Sequence, residues 1–147
     1  MARAQSSRPE AASGPPGVDP WEARSVPLAL SLLALLLLQG LIFIGESSQT
    51  SDEAAHLAAG YSYLTTGDFR LNPEHPPLLK ILAGIIGEIF AHPHFPTNTP
   101  YWQEYINGQW DQGGLMLYGA GNNADYILRL TRLPIILLAV FFGWILW

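Results

Sequence analysis

The chain has 147 residues, 49% hydrophobic and 13% charged, with no cysteine and a formal net charge of -5. Seven Lys and Arg against twelve Asp and Glu cannot neutralise a run of phosphates, which excludes nucleic-acid binding; without Cys there is no disulfide framework, thiolate metal site or cysteine nucleophile. The length admits at most one ordinary soluble domain, yet most Leu and Ile fall in two near-continuous apolar blocks, so the sequence predicts an all-α membrane protein.

Residues 1–25 are rich in Ala, Ser, Gly and Pro with mixed charge and no hydrophobic period, the composition of a disordered tail. Residues 26–44 read VPLALSLLALLLLQGLIFI without a charge. At helical rise they span about 28 Å, close to the ~30 Å hydrocarbon core of a bilayer, which predicts a first transmembrane helix over 26–45. The run is longer than a signal-peptide core and no A-x-A site follows it. Arg8 and Arg24 precede the span and no Lys or Arg follows until Arg70, so the charge rule places the N-terminus in the cytoplasm and the loop 46–125 outside.

That loop is too long for a structureless connection. Its first helix is predicted from Thr50-Ser51-Asp52-Glu53, where Thr50 and Glu53 have capping-box spacing. Leu57, Tyr61 and Leu64 form its apolar stripe, and Thr66-Gly67-Asp68 ends it. The rigid stretch Leu71-Asn72-Pro73-Glu74-His75-Pro76-Pro77 leads into a second helix, PLLKILAGIIGEIF, opening at Pro77. Apolar almost all round and too short to span, it is expected on the membrane surface or against the bundle. Residues 92–121 show weak periodicity at 101–106 and 114–118 and no strand.

The second apolar block starts near Tyr126 and stops on Trp147 without a polar flank. It predicts a truncated second transmembrane helix over 126–147 and a chain that is the N-terminal fragment of a larger polytopic bundle. Arg129 and Arg132 stand at its outer end against the charge rule, which points to a buried partner or an anionic ligand.

Several residue groups are candidates for chemistry. Asp52 and Glu53 fall just beyond the first span; they are either dipole-complementing acids or a site. His56, four residues after Asp52, shares its helical face, so the two either line a cleft or satisfy each other. Lys80 has a stem long enough to carry its ammonium to a headgroup or lipid phosphate, or simply to anchor the helix. Glu74, His75, His92 and His94 are ligand types, but their spacing matches no closed tetrahedral site. No metal ligand is assigned, and a divalent ion stays a secondary alternative. No phosphate loop, GxSxG elbow or HExxH is present.

The block SDEAAHLAAGYSYLTTGDFRLNPEHPPLLK, together with the later DYILRLTRLP, resembles the lipid-carrier-dependent glycosyltransferases of the GT-C fold, most nearly the glycosyltransferase family 39 or protein O-mannosyltransferase-like group of bacteria. The resemblance covers residues 26–147. It implies a multi-pass enzyme of the plasma (inner) membrane that moves a sugar, with inversion, from a polyprenyl-phosphate donor to a protein, lipid or cell-wall acceptor on the outer face. No other cofactor is implied. Asp52 matches the acidic residue that acts as base on the acceptor, with Glu53 positioning. A departing phosphate needs a cation, for which Arg132 is the first candidate, ahead of Arg129 and Lys80; His56, Glu74 and His75 complete the expected substrate-binding set. The alternative is a non-catalytic membrane-anchored protein whose outer loop binds a partner and whose acids are caps.

Overall fold

The computed structural model describes residues 20–147, and these residues are all-helical, with no strand among them. The first helix, α1 (Pro20–Glu46), starts inside the stretch expected to be a disordered tail. Proline is well placed to open a helix, because the N–H it lacks would have no intrahelical partner there. The rest of that stretch, residues 1–19, lies outside the described residues. The last helix, α6 (Ala124–Leu146), opens on the Asn123 side chain, whose Oδ1 accepts from the Tyr126 N–H at 3.0 Å.

Residues 24–46 of α1 and all of α6 are long and apolar enough to cross a membrane. Each runs about 34 Å at helical rise. The two pack antiparallel: Gly40 faces Ile136 near one end, and Gly143 faces Leu33 towards the other. Leu28, Leu32, Leu35 and Leu38 of α1 remain exposed, so this helix needs an apolar surrounding that the other described residues do not supply.

Between these helices lie four shorter ones. The core forms around α2 (Glu53–Thr65), which is buried on nearly every side rather than along one stripe. Ala54, Ala55, Ala58, Ala59 and Gly60 are small enough for α3 (Leu78–Phe90) and α5 (Gln109–Gly114) to pack closely against it. At the α2/α3 crossing a Cβ on Gly60 would lie 1.9 Å from the Lys80 carbonyl oxygen, and one on Gly84 2.6 Å from the Gly60 carbonyl oxygen. No larger residue permits that approach. Leu57 and Tyr61 are buried as the stripe predicts, but Leu64 is exposed, because it stands in the last turn of α2, beyond the core.

The chain leaves α2 through Gly67 at φ 68 and enters α3 with Pro77 as its N-cap, one residue before the helix proper. The predicted second helix thus packs against α2 and α6, with Leu78, Ile85, Ile89 and Phe90 facing outwards. Within the poorly periodic stretch, the short helix α4 (Pro100–Gln103) is capped by Thr99. A π-helical turn, Leu115–Gly119, continues α5. Buried Gln112 ties these pieces together: its Nε2 donates to the Pro96 carbonyl at 2.6 Å, and its Oε1 accepts from the Thr99 hydroxyl at 2.8 Å.

Candidate functional site

Where the start of α2 meets α3, α6 and the end of α1, the helices leave an open cavity of about 730 Å³. Its polar lining includes Asp52, Glu53, His56, His75, Lys80 and Arg132. Its apolar lining includes Phe43 of α1, Leu78, Leu79 and Ala83 of α3, and Ile135 and Ile136 of α6. The apolar lining thus comes largely from the two helices long enough to cross a membrane and from the helix packed beside them.

The predicted site residues divide into those already engaged within the protein and those open to a ligand. Arg132 belongs to the first group. Its Nε and Nη2 donate to the two carboxylate oxygens of Glu53 at 2.6 and 2.7 Å, and Nη1 and Nη2 donate to the carbonyls of Ser47 and Ser48 at 2.8 and 2.9 Å. Its side chain is 8% exposed and that of Glu53 20%. The arginine that breaks the charge rule therefore has a buried partner 79 residues away in sequence. Glu53 also accepts from the Thr50 N–H at 3.1 Å, one arm of the expected capping box. The other arm is missing, since the Glu53 N–H meets the Thr50 carbonyl instead of its hydroxyl.

Lys80 is not at the membrane surface either. It is 4% exposed, and its ammonium donates to the carbonyl and Oδ1 of Asn72 and to the Tyr63 hydroxyl, which uses its three N–H bonds. Burial lowers its pKa from that of a free lysine, an effect opposed by the Glu74 carboxylate. Burial likewise raises the Tyr63 phenol, with Glu74 adding to the rise. The expected reach of Lys80 to headgroups fails because Asn72, in the left-handed region at φ 50, folds both its oxygens over the α3 side chain.

Asp52 and His56 belong to the second group. Asp52 stands at the N-cap of α2, but its side chain makes no capping bond; its Oδ1 accepts only a long 3.4 Å bond from Trp110 Nε1, and the residue is exposed. His56 Nδ1 is buried without a hydrogen-bond partner. Its ring meets that of His75 edge to face, with centroids 5.1 Å apart. Asp52 and His56 thus share a cleft, as their spacing suggests, without bonding side chain to side chain. His75 sits beside Glu74, 3.8 Å from Nδ1 to Oε1, and Glu74 Oε1 accepts from Asn72 Nδ2 at 3.0 Å. Glu74 itself does not line the cavity, and Arg129 is exposed outside it.

The remaining ligand-type residues are dispersed. His92 lies 3.9 Å from Glu88, while His94 is bound through its backbone to Asn122. Among the described residues no three His, Asp or Glu side chains are placed to hold a metal ion. Sequence reasoning missed Asn72 and Trp110 as site neighbours, whereas helical spacing places Tyr63 near His56. The turn-forming Asn-Pro pair was a signal for Asn72; nothing local marks Trp110. No protein-family model, curated protein or solved structure matches the chain.

Proposed function

We propose that the chain forms the first outer loop and flanking spans of a multi-pass inverting glycosyltransferase that uses a polyprenyl-phosphate sugar. The observation that carries this reading is the mixed lining of the cavity: an uncommitted carboxylate, Asp52, together with apolar side chains from α1, α3 and α6. Such a lining suits an amphiphile with a polar reactive head and a long hydrocarbon chain, and the resemblance of the Asp-Glu and Asn-Pro-Glu-His-Pro-Pro blocks supplies its chemistry.

In this reading the N-terminus is cytoplasmic and the loop faces outwards. Asp52 takes the proton from an acceptor hydroxyl or amine as that atom bonds to the anomeric carbon. The bond between the anomeric carbon and the phosphate oxygen breaks, its electron pair stays on the phosphate, and polyprenyl phosphate departs. Attack from the opposite side inverts the configuration. Glu53 acts through position: its pairing with Arg132 joins the first residue of α2, next to Asp52, to the second span.

The test is transfer by the multi-pass protein of which the chain forms a part, in proteoliposomes supplied with a labelled polyprenyl-phosphate sugar. The expected result is a glycosylated acceptor of inverted anomeric configuration, read by NMR, with one polyprenyl phosphate released per transfer. A protein that binds the lipid but releases no polyprenyl phosphate with any acceptor class would favour the partner-binding alternative.

A further inference from the structure

If a phosphate head enters the cavity, it finds the two strong cations already engaged. Lys80 spends its three N–H bonds on Asn72 and Tyr63, and Arg132 spends four of its five on Glu53, Ser47 and Ser48. The donors left facing the space are the imidazoles of His56 and His75, which line it from α2 and from the proline-rich segment, with the Thr50 hydroxyl and the one remaining N–H of Arg132 beside them.

The hydrogen bonds around His75 point to which of its ring nitrogens carries the proton. Lys80 is a donor only, so Asn72 must turn Oδ1 towards it, at 2.9 Å. The Asn72 amide nitrogen then faces the other way, towards Glu74 Oε1 at 3.0 Å and His75 Nδ1 at 3.4 Å. Meeting an N–H, His75 Nδ1 is the acceptor, and the proton sits on Nε2. His56 Nδ1 is buried with no hydrogen-bond partner of either kind, which leaves Nε2 as the ring atom open to a ligand. A phosphate oxygen there selects the tautomer that carries its proton on Nε2. The 5.1 Å ring contact brings the two imidazoles together from separate elements.

We propose that His56 and His75 form the subsite for the oxygens of a phosphate monoester, each donating from Nε2, and that Lys80 is a positioning residue that sets the His75 tautomer through Asn72. The inference rests on the glycosyltransferase reading for the origin of the phosphate, though not for its recognition. It also assigns the anion contact to imidazole N–H donors instead of to Arg132. Two N–H donors on a dianion match the way phosphates are commonly held, and hydrogen bonds to a charged partner are the strong ones.

The test is binding to the full chain in lipid nanodiscs, with decyl phosphate and inorganic phosphate as separate probes. Decyl phosphate should shift the Nε2 resonances of both histidines in 15N spectra. His56→Phe and His75→Phe should each weaken its binding about tenfold or more, the scale of one hydrogen bond to a charged group. His75→Gln, which keeps a donor at the ε position, should stay within about threefold. Lys80→Met should move the His75 ring signals towards the other tautomer or a mixture, a readout that loss of packing alone does not produce, and Lys80→Arg should restore them. Binding of decyl phosphate that survives both Phe substitutions but is lost in Arg132→Lys would overturn the assignment. Tight binding of inorganic phosphate that depends on both histidines would uphold the subsite and remove the lipid donor. Glycosyl transfer that persists in the double Phe variant with unchanged KM for the donor would remove the subsite and leave the transferase.

Discussion

The Glu53–Arg132 pair is the point where the loop, the second span and the edge of the cavity are tied together, and its energetic weight can be worked from its geometry. Arg132→Met removes four hydrogen bonds, leaves the Ser47 and Ser48 carbonyls without this partner, and strands a carboxylate whose side chain is 20% exposed. Breaking a fully buried pair from one side costs about 3–5 kcal/mol. The residual exposure of Glu53 lowers that to about 2–4 kcal/mol, since part of its charge regains water. Glu53→Gln keeps one acceptor oxygen and the shape, so about 1–2 kcal/mol is expected. In the double variant the stranded charge is gone, and the loss should fall about 2 kcal/mol short of the sum of the singles. Denaturant-induced unfolding of the full chain in detergent, followed by Trp fluorescence, measures all four corners of the cycle. Additive losses, each under about 0.5 kcal/mol, would show that the pair behaves as a solvated surface bridge and would refute the reasoning.

Gly60→Ala places a methyl group against the Lys80 carbonyl at the α2/α3 crossing, so unfolding should shift by at least about 1–3 kcal/mol, whereas Ala59→Gly should cost only about 1 kcal/mol; equal, small losses would mean the helices do not approach so closely. Arg70 beside Asp68 holds that carboxyl below its ordinary range, so the bond contributes stability above the carboxylate range and loses it as pH falls through the depressed value; Asp68→Asn should cost about 0.2–1 kcal/mol at neutral pH, and nothing once both proteins are in strong acid. For topology, Asn107→Cys in an otherwise cysteine-free stretch should react with a membrane-impermeant maleimide from outside in intact cells, and Ser7→Cys only after lysis; the reverse pattern would place the cavity on the wrong side for an outer-face reaction.

The first long helix was legible because an uncharged apolar run of bilayer length has few alternatives, the second because its apolar residues run on from Tyr126 with only Arg129 and Arg132 between them, and the end of α2 and the start of α3 because Gly67 and Pro77 punctuate the chain. Helical spacing alone put Asp52 and His56 on one face, and the fold decided between a cleft and a mutually bonded pair. The links between distant segments were not legible. Glu53 and Arg132 each carried a local signal, a first-turn acid and a misplaced arginine, but the pairing across 79 residues needs the fold. Lys80 was misplaced because its snorkelling stem was weighed without the Asn72 oxygens that capture it. The region 109–119 hid its helix because Gln109 and Gln112 are buried polar residues and Gly113 lies against Ala54, a pattern that apolar periodicity does not register.

The central claim is that Asp52 is the base of a glycosyl transfer, and Asp52→Asn tests it most directly. The substitution keeps the side chain's shape and removes its basicity, and since the carboxylate makes no capping bond, folding should change by at most about 1 kcal/mol. Measured as polyprenyl phosphate released per enzyme in proteoliposomes with donor and acceptor saturating, the rate should fall about two to four decades while donor affinity holds within a few-fold. Release at the unmodified rate from Asp52→Asn would contradict the account and leave that carboxylate as an acid complementing the dipole of α2.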